Sequence, residues 1–202
     1  MKHLLSLLLL LTLSSGLFAQ EVRTKNGFIS VTLGAAFPTG DFADSDLNND
    51  DAGFAENGVA INLVNFGYLF SKNIGITAML SGSAYPIDAN NGDEPIWGFG
   101  SFMVGPLFSF ASEDGKTELD LRVMIGTSSA TLDPDDGSQE FEGSGGAFSI
   151  GSGLRYNLSD FIALTSNFDI ISGNPEFDVN GSTFEQPIST VNLTFGISFR
   201  IK

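Results

Sequence analysis

The chain has 202 residues, with 24 Asp and Glu against 9 Lys and Arg, a formal net charge of −15 and no cysteine. That balance excludes the basic footprint of a nucleic-acid binder, and the missing thiols exclude disulfides and thiolate metal centres. Charged residues make up only 16%, while Gly reaches 24 and Phe 19, which favours many strands over long helices.

The first segment is a targeting signal by its pattern. Lys2 and His3 precede the apolar run 4–13, then come Ser14, Ser15 and Gly16, and Ala19 stands just before Gln20. A charged start, an apolar core of about 7–15 residues and a small residue at the cut describe a secretory signal peptide. A membrane-spanning helix needs about 20 apolar residues, more than this run supplies. No cysteine follows the cut to carry a lipid. The expected division is a signal peptide at 1–19 and one mature domain at 20–202, and the only histidine, His3, leaves with the signal.

Eight segments then alternate with a period of two, as strands do. They fall at about 27–37, 57–70, 74–85, 96–110, 117–130, 145–157, 161–171 and 189–201. In the first, Ile29, Val31, Leu33, Ala35 and Phe37 oppose Phe28, Ser30, Thr32, Gly34 and Ala36. The second changes phase near Leu63-Val64, and the fourth mixes both phases around Gly105-Pro106. A β-bulge is the expected cause in each, because one inserted residue swaps the faces. In the fifth, Leu119, Leu121, Val123 and Ile125 oppose Glu118, Asp120, Arg122 and Met124. The last is cleanest, with Val191, Leu193, Phe195, Ile197, Phe199 and Ile201 on one face. Each segment meets the roughly 9–11 residues of a tilted membrane strand. No internal repeat is visible beyond this hairpin rhythm.

Connections alternate between short (71–73, 111–116, 158–160) and long (38–56, 86–95, 131–144, 172–188). The long ones hold most of the acid and no Lys or Arg, whereas Arg23, Lys25, Lys72, Lys116, Arg200 and Lys202 gather at the other end. Short periplasmic turns and long outer loops are the usual asymmetry of outer-membrane barrels. The expected fold class is all-β: an eight-stranded antiparallel up-and-down transmembrane β-barrel, with both termini on the periplasmic side.

Alternation alone does not choose the outer face, since a soluble lipocalin-like barrel turns its apolar face inward around a ligand. Here the second face is mainly Gly, Ser, Thr, Ala and Asn, which suits a narrow filled interior better than a water-facing exterior. Phe37, Phe70, Tyr85, Trp97, Phe110, Tyr156, Phe161 and Phe199 lie near strand ends, where interfacial aromatic girdles form.

The segments Gly34-Ala35-Ala36-Phe37-Pro38-Thr39-Gly40-Asp41-Phe42 and Val104-Gly105-Pro106-Leu107-Phe108 resemble recurring stretches of small outer-membrane β-barrel families. The chain resembles the families typified by OmpX and the OmpA transmembrane domain over about 26–202. The resemblance implies an integral outer-membrane location and a terminal aromatic assembly signal. Here Phe199 is followed by Arg200-Ile201-Lys202, so that signal is displaced. No peptidoglycan-binding domain follows, so an anchoring role is not implied.

The candidate site is an interior ionic cluster of Glu118, Asp120, Arg122, Arg155 and Arg200 on the lumen-facing register. Buried charges need partners, so a mutually paired structural plug is favoured over a selectivity constriction. Asp169 sits higher on its strand, with no cationic partner in view. Acyl-transfer chemistry usually relies on His to move the proton, and the mature segment has neither His nor Cys, so no enzyme, catalytic residue or cofactor is expected. The run from Asp44 to Asp51 places oxygen ligands at alternate positions, yet Asn49 stands where a calcium loop needs Gly and Glu56 falls one residue late. Asp133-Pro134-Asp135-Asp136-Gly137 fits less well. Solvated acidic loops are the preferred account, and no metal site is assigned. The expected role is envelope-structural or surface interaction, with outer-membrane lipid, lipopolysaccharide and an unidentified extracellular partner, no nucleic acid, and a monomeric barrel. The alternative is a narrow cation-preferring channel, and after it a soluble ligand carrier.

Overall fold

The computed structural model describes residues 26–87, 95–134, 140–179 and 181–202. The expected signal peptide at 1–19 lies outside them. Among the described residues ten strands form in chain order: β1 (Gly27–Pro38), β2 (Gly58–Leu69), β3 (Ile74–Pro86), β4 (Ile96–Ala111), β5 (Thr117–Asp133), β6 (Phe141–Asn157), β7 (Ile162–Gly173), β8 (Glu176–Val179), β9 (Ser182–Glu185) and β10 (Ile188–Ile201). All described pairings are antiparallel, each barrel strand pairs with its neighbours in the chain, and β10 returns to β1 to close the ring. Eight strands therefore make the barrel. β8 and β9 are a small hairpin in the last long connection, joined to β6 at Gly143↔Phe177 and Ser144↔Glu176. The expected strand 145–157 begins earlier, at Phe141.

Phase decides what each strand offers to the two sides. Along β1, Phe28, Ser30 and Thr32 are buried while Ile29, Val31 and Leu33 are exposed. The same holds round the ring, so the outer face carries Ile74, Ile76, Phe102, Val104, Leu121, Ile125, Ile150, Leu164, Phe168, Phe195 and Ile197 in the open. Leu33 is 62% exposed and Ile125 65%. In water, leaving such side chains unburied forgoes roughly 1.5–3 kcal/mol each. The soluble ligand carrier is thereby set aside, because its apolar face would point inward.

The bulge expected in β2 is present: the register shifts between Asn62 and Val64, and Leu63 and Val64 both face outward. The one expected in β4 is absent. Its pairing with β3 runs unbroken from Ile74↔Phe108 to Pro86↔Ile96, and Trp97, Phe99, Ser101, Met103, Leu107 and Ser109 are all buried on one face. The phase looked mixed because large apolar residues fill the lumen here as well as covering the outside. The same cause corrects two girdle assignments: Tyr85 and Trp97 lie inside the barrel, whereas Phe37, Phe70, Tyr156, Phe161 and Phe199 face out.

Close backbone approach marks the β2–β3 seam at Gly58 and Gly75, and two further seams. A Cβ at Gly34 or Gly196 would strike the carbonyl of the facing strand across the β1–β10 seam, and one at Gly105 or Gly126 would do so across β4–β5. In the ring order those two further seams lie opposite one another.

Candidate functional site: the filled lumen

Three layers of side chains occupy the lumen, each set by strand register. At the short-turn end, Glu118, Asp120 and Arg122 follow one another at every second position of β5, so all three point inward. Glu118 is the register partner of Arg155 on β6. Arg155 donates from Nη2 to Glu118 Oε2 at 2.8 Å and to Asp120 Oδ1 at 3.2 Å, and from Nη1 to Asp120 Oδ2. Its guanidinium also lies 3.7 Å from the centroid of the Phe28 ring, a stacking that suits the planar cation. Arg200 Nη2 reaches Glu118 Oε1 at 3.3 Å, and Asn157 Nδ2 donates to the same oxygen at 3.1 Å.

Asp169 corrects the reading that it has no cationic partner. Arg122 grips it in a fork: Nε to Oδ1 at 3.0 Å, Nη2 to Oδ1 at 2.8 Å and Nη2 to Oδ2 at 2.8 Å. The two residues sit on β5 and β7, each the register partner of Gly151 on the strand between. Because Gly151 has no side chain, the pair meets across it. A Cβ there would collide with Asp169 Oδ1 and lie 3.0 Å from Arg122 Nε. Among the described residues the interior thus carries three arginines, Arg122, Arg155 and Arg200, against three carboxylates, Glu118, Asp120 and Asp169. We expect Gly151→Ala to destabilise the folded barrel by about 1–3 kcal/mol through overpacking. Gly153→Ala should cost less, since its nearest contact is Asn167 Oδ1 at 3.0 Å. Guanidinium unfolding midpoints of the two variants check the order.

The middle layer is polar on β1, β2, β7 and β10, while β3, β4 and β5 contribute Met79, Met103 and Met124 to it. The hydroxyls of Thr32 and Thr194 lie 2.8 Å apart, and Asn62 Nδ2 donates to both at 3.0 and 3.3 Å. Asn167 Nδ2 also donates to Thr32, at 3.3 Å. Such a network satisfies groups that would otherwise be costly to bury.

The long-loop end is closed by apolar side chains. A short 3-10 turn, Gly40–Ala43, directs Phe42 into the barrel mouth, where it is fully buried. Its ring meets Tyr85 edge-on at 5.1 Å and Trp97 at 6.0 Å, and Trp97 meets Phe177 at 5.9 Å. Offset and edge-to-face pairs of this kind add to plain area burial. The polar tips are satisfied: Trp97 Nε1 donates to Gly53 O at 2.8 Å and Tyr85 Oη to Thr190 Oγ1 at 2.7 Å. The loop is further held by Gly53 N to Asp41 O at 2.9 Å, Ala55 N to Phe42 O at 3.0 Å and Gln186 Nε2 to Asp51 O at 2.9 Å. Phe54 takes a φ of 54°, a strained conformation for a bulky residue at the point where the chain crosses the mouth.

The acidic run 44–51 is ordered by its own donors. Asn49 Nδ2 donates to Asp44 Oδ2 at 2.8 Å and to Asp41 Oδ1 at 3.2 Å, while Asp46 N and Asn48 N donate to the carboxylates two residues before them. The Asn49 bond, followed by the Asp46 amide, holds the Asp44 carboxyl below its usual range. Among the described residues, no three His, Cys, Asp or Glu side chains converge as a metal site. Residues 135–137 of the weaker acidic motif lie outside the described residues.

Neither a protein-family model nor a curated protein matches this sequence. Among solved structures, Neisserial surface protein A superimposes with a TM-score of 0.58 at 10% identity, covering 87% of this chain and 97% of that one. The attachment invasion locus protein Ail of Yersinia pestis, solved with the heparin analogue sucrose octasulfate, gives 0.51 at 15% identity, covering 87% of this chain and 99% of that one. At such identities the likeness is one of fold: the chain has the closed, eight-stranded, up-and-down architecture of small outer-membrane β-barrels.

Proposed function

We propose that this chain is a non-enzymatic integral outer-membrane protein whose barrel is a closed scaffold for its long acidic loops. The observation that carries the reading is the filled lumen. A salt-bridged layer closes one end, an aromatic cap closes the other, and a hydrogen-bonded layer lies between. In this reading Glu118, Asp120, Arg122, Arg155 and Arg200, joined by Asp169, form a structural plug and not a selectivity filter. The long loops face outside and both termini the periplasm, in keeping with short turns on the periplasmic side of such barrels. Lipid and lipopolysaccharide surround a monomeric barrel. The loops, which hold Asp41, Asp44, Asp46, Asp50, Asp51, Glu56, Glu176, Asp178 and Glu185 and no Lys or Arg, meet an extracellular partner. Absence of His and Cys from 20–202 supports the non-enzymatic part of the reading, because the commonest acyl-transfer route lacks its base.

Planar-bilayer recording of the refolded chain, after heat-modifiable gel migration confirms a folded barrel, tests the closed lumen. We expect no discrete openings. Reproducible conductance steps would overturn the reading in favour of a narrow channel, and charge swaps at Asp120, Arg122 and Arg155 would then report its selectivity.

A further inference from the structure

Three methionines, Met79, Met103 and Met124, are fully buried in one cluster inside the barrel, on the consecutive strands β3, β4 and β5. Met79 and Met103 are direct register partners. Met124 lies diagonal to Met103, which pairs with Gly126 two residues further along β5. Direct partners on one sheet face have Cβ atoms about 4.5–5.5 Å apart, and diagonal ones remain within reach of long side chains. Three methionine residues thus stand next to one another on one curved wall.

The strands on either side extend the arc with oxygen. Asn65 on β2 is the register partner of Met79, and Ser149 on β6 is the register partner of Met124. Both side chains are buried, and Asn65 Oδ1 and Ser149 Oγ each lack a hydrogen-bond partner. Buried polar atoms are normally satisfied, so two orphans flanking one cluster call for an explanation. The arc from β2 to β6 therefore runs oxygen, sulfur, sulfur, sulfur, oxygen.

From this arrangement we propose a lumen site for a soft monovalent cation of the copper(I) or silver(I) type, with Met79, Met103 and Met124 as ligands and Asn65 Oδ1 and Ser149 Oγ as outer oxygens. Thioether sulfur selects soft ions, whereas hard divalent cations require carboxylate or carbonyl oxygen in number. The nearby carboxylate, Asp169, is already committed to Arg122, so the cluster offers no anionic ligand to magnesium or calcium. Arg122, the next inward residue to Met124 on β5, is paired with Asp169, so its charge is offset beside the cluster. Flexible methionine also serves as a gap-filler. Leucine fills similar volume without sulfur, and that difference makes the proposal testable.

The experiment uses the full mature chain labelled with 13C-methyl methionine. It is refolded into chloride-free detergent micelles with silver(I) nitrate already present, so that the closed lumen does not limit access. The three lumen methyl signals should shift together and saturate at one silver ion per chain, while magnesium and calcium leave them unmoved. Met103→Leu, folded by heat-modifiable migration, should lose the shift of the two remaining methyls. Absence of any shift in the unaltered chain would overturn the proposal, as would a shift that survives intact in Met103→Leu. Met79→Leu and Met124→Leu repeat the test from either side of the arc.

Discussion

Arg122→Ala should lower the unfolding free energy of the barrel by about 3–5 kcal/mol, the usual penalty for leaving one member of a buried ion pair uncompensated. Arg122 and Asp169 are both nearly inaccessible, and their three hydrogen bonds are the only ones described for the Asp169 carboxylate. Without the guanidinium, Asp169 is left as a buried carboxylate with no cationic partner described. The partner test is the double variant Arg122→Met with Asp169→Leu. Replacing a buried pair by apolar residues of similar volume is often neutral or stabilising, so most of the loss should return. Guanidinium unfolding in micelles, followed by gel migration, measures both. A loss below about 1 kcal/mol for Arg122→Ala, the ordinary worth of an exposed pair, would mean that this pair does not hold the plug together.

Phe42→Ala should loosen the cap without unfolding the strands beneath it. Removing a buried phenylalanine costs about 3–5 kcal/mol when the site does not collapse. Since each 1.4 kcal/mol is tenfold in an equilibrium, local opening of the loop should rise by about a hundredfold or more. Two observables sit in the right places. The Gly53 and Ala55 amides donate within the cap, and their hydrogen exchange should accelerate accordingly. Trp97 is the only tryptophan and packs against Phe42, so its emission should shift red and become open to acrylamide. Unchanged exchange and unchanged quenching would mean that Phe42 is not what holds the mouth shut. The two variants act on different parts of the lumen, with no shared contacts described, so their effects should add when combined.

The ionic base and the aromatic cap differ in how far the sequence pattern alone places their residues. Lumen-facing charges on β5 could be placed from alternation, because Glu118, Asp120 and Arg122 share one parity. Arg155 and Arg200 followed from the same rule on their own strands. Phe42 could not, because a loop residue has no periodicity to place it. Its burial depends on the 3-10 turn folding inward and on Tyr85, Trp97 and Phe177 converging from three separate strands.

What the sequence by itself determined is the barrel: strand number, antiparallel order, which face is apolar and which end carries the acid. Period-two alternation and loop length are local properties, written within a dozen residues at a time. Tertiary structure decided what fills the barrel. Asp169 meets Arg122 only because β5, β6 and β7 stand in one register and Gly151 leaves the space between them empty. Trp97, Phe99 and Leu107 turned inward on β4 although their apolar character equally suited the lipid face. Alternation assigns a residue to a side, but closing the ring brings strands distant in sequence together, and only then is it settled which groups meet inside.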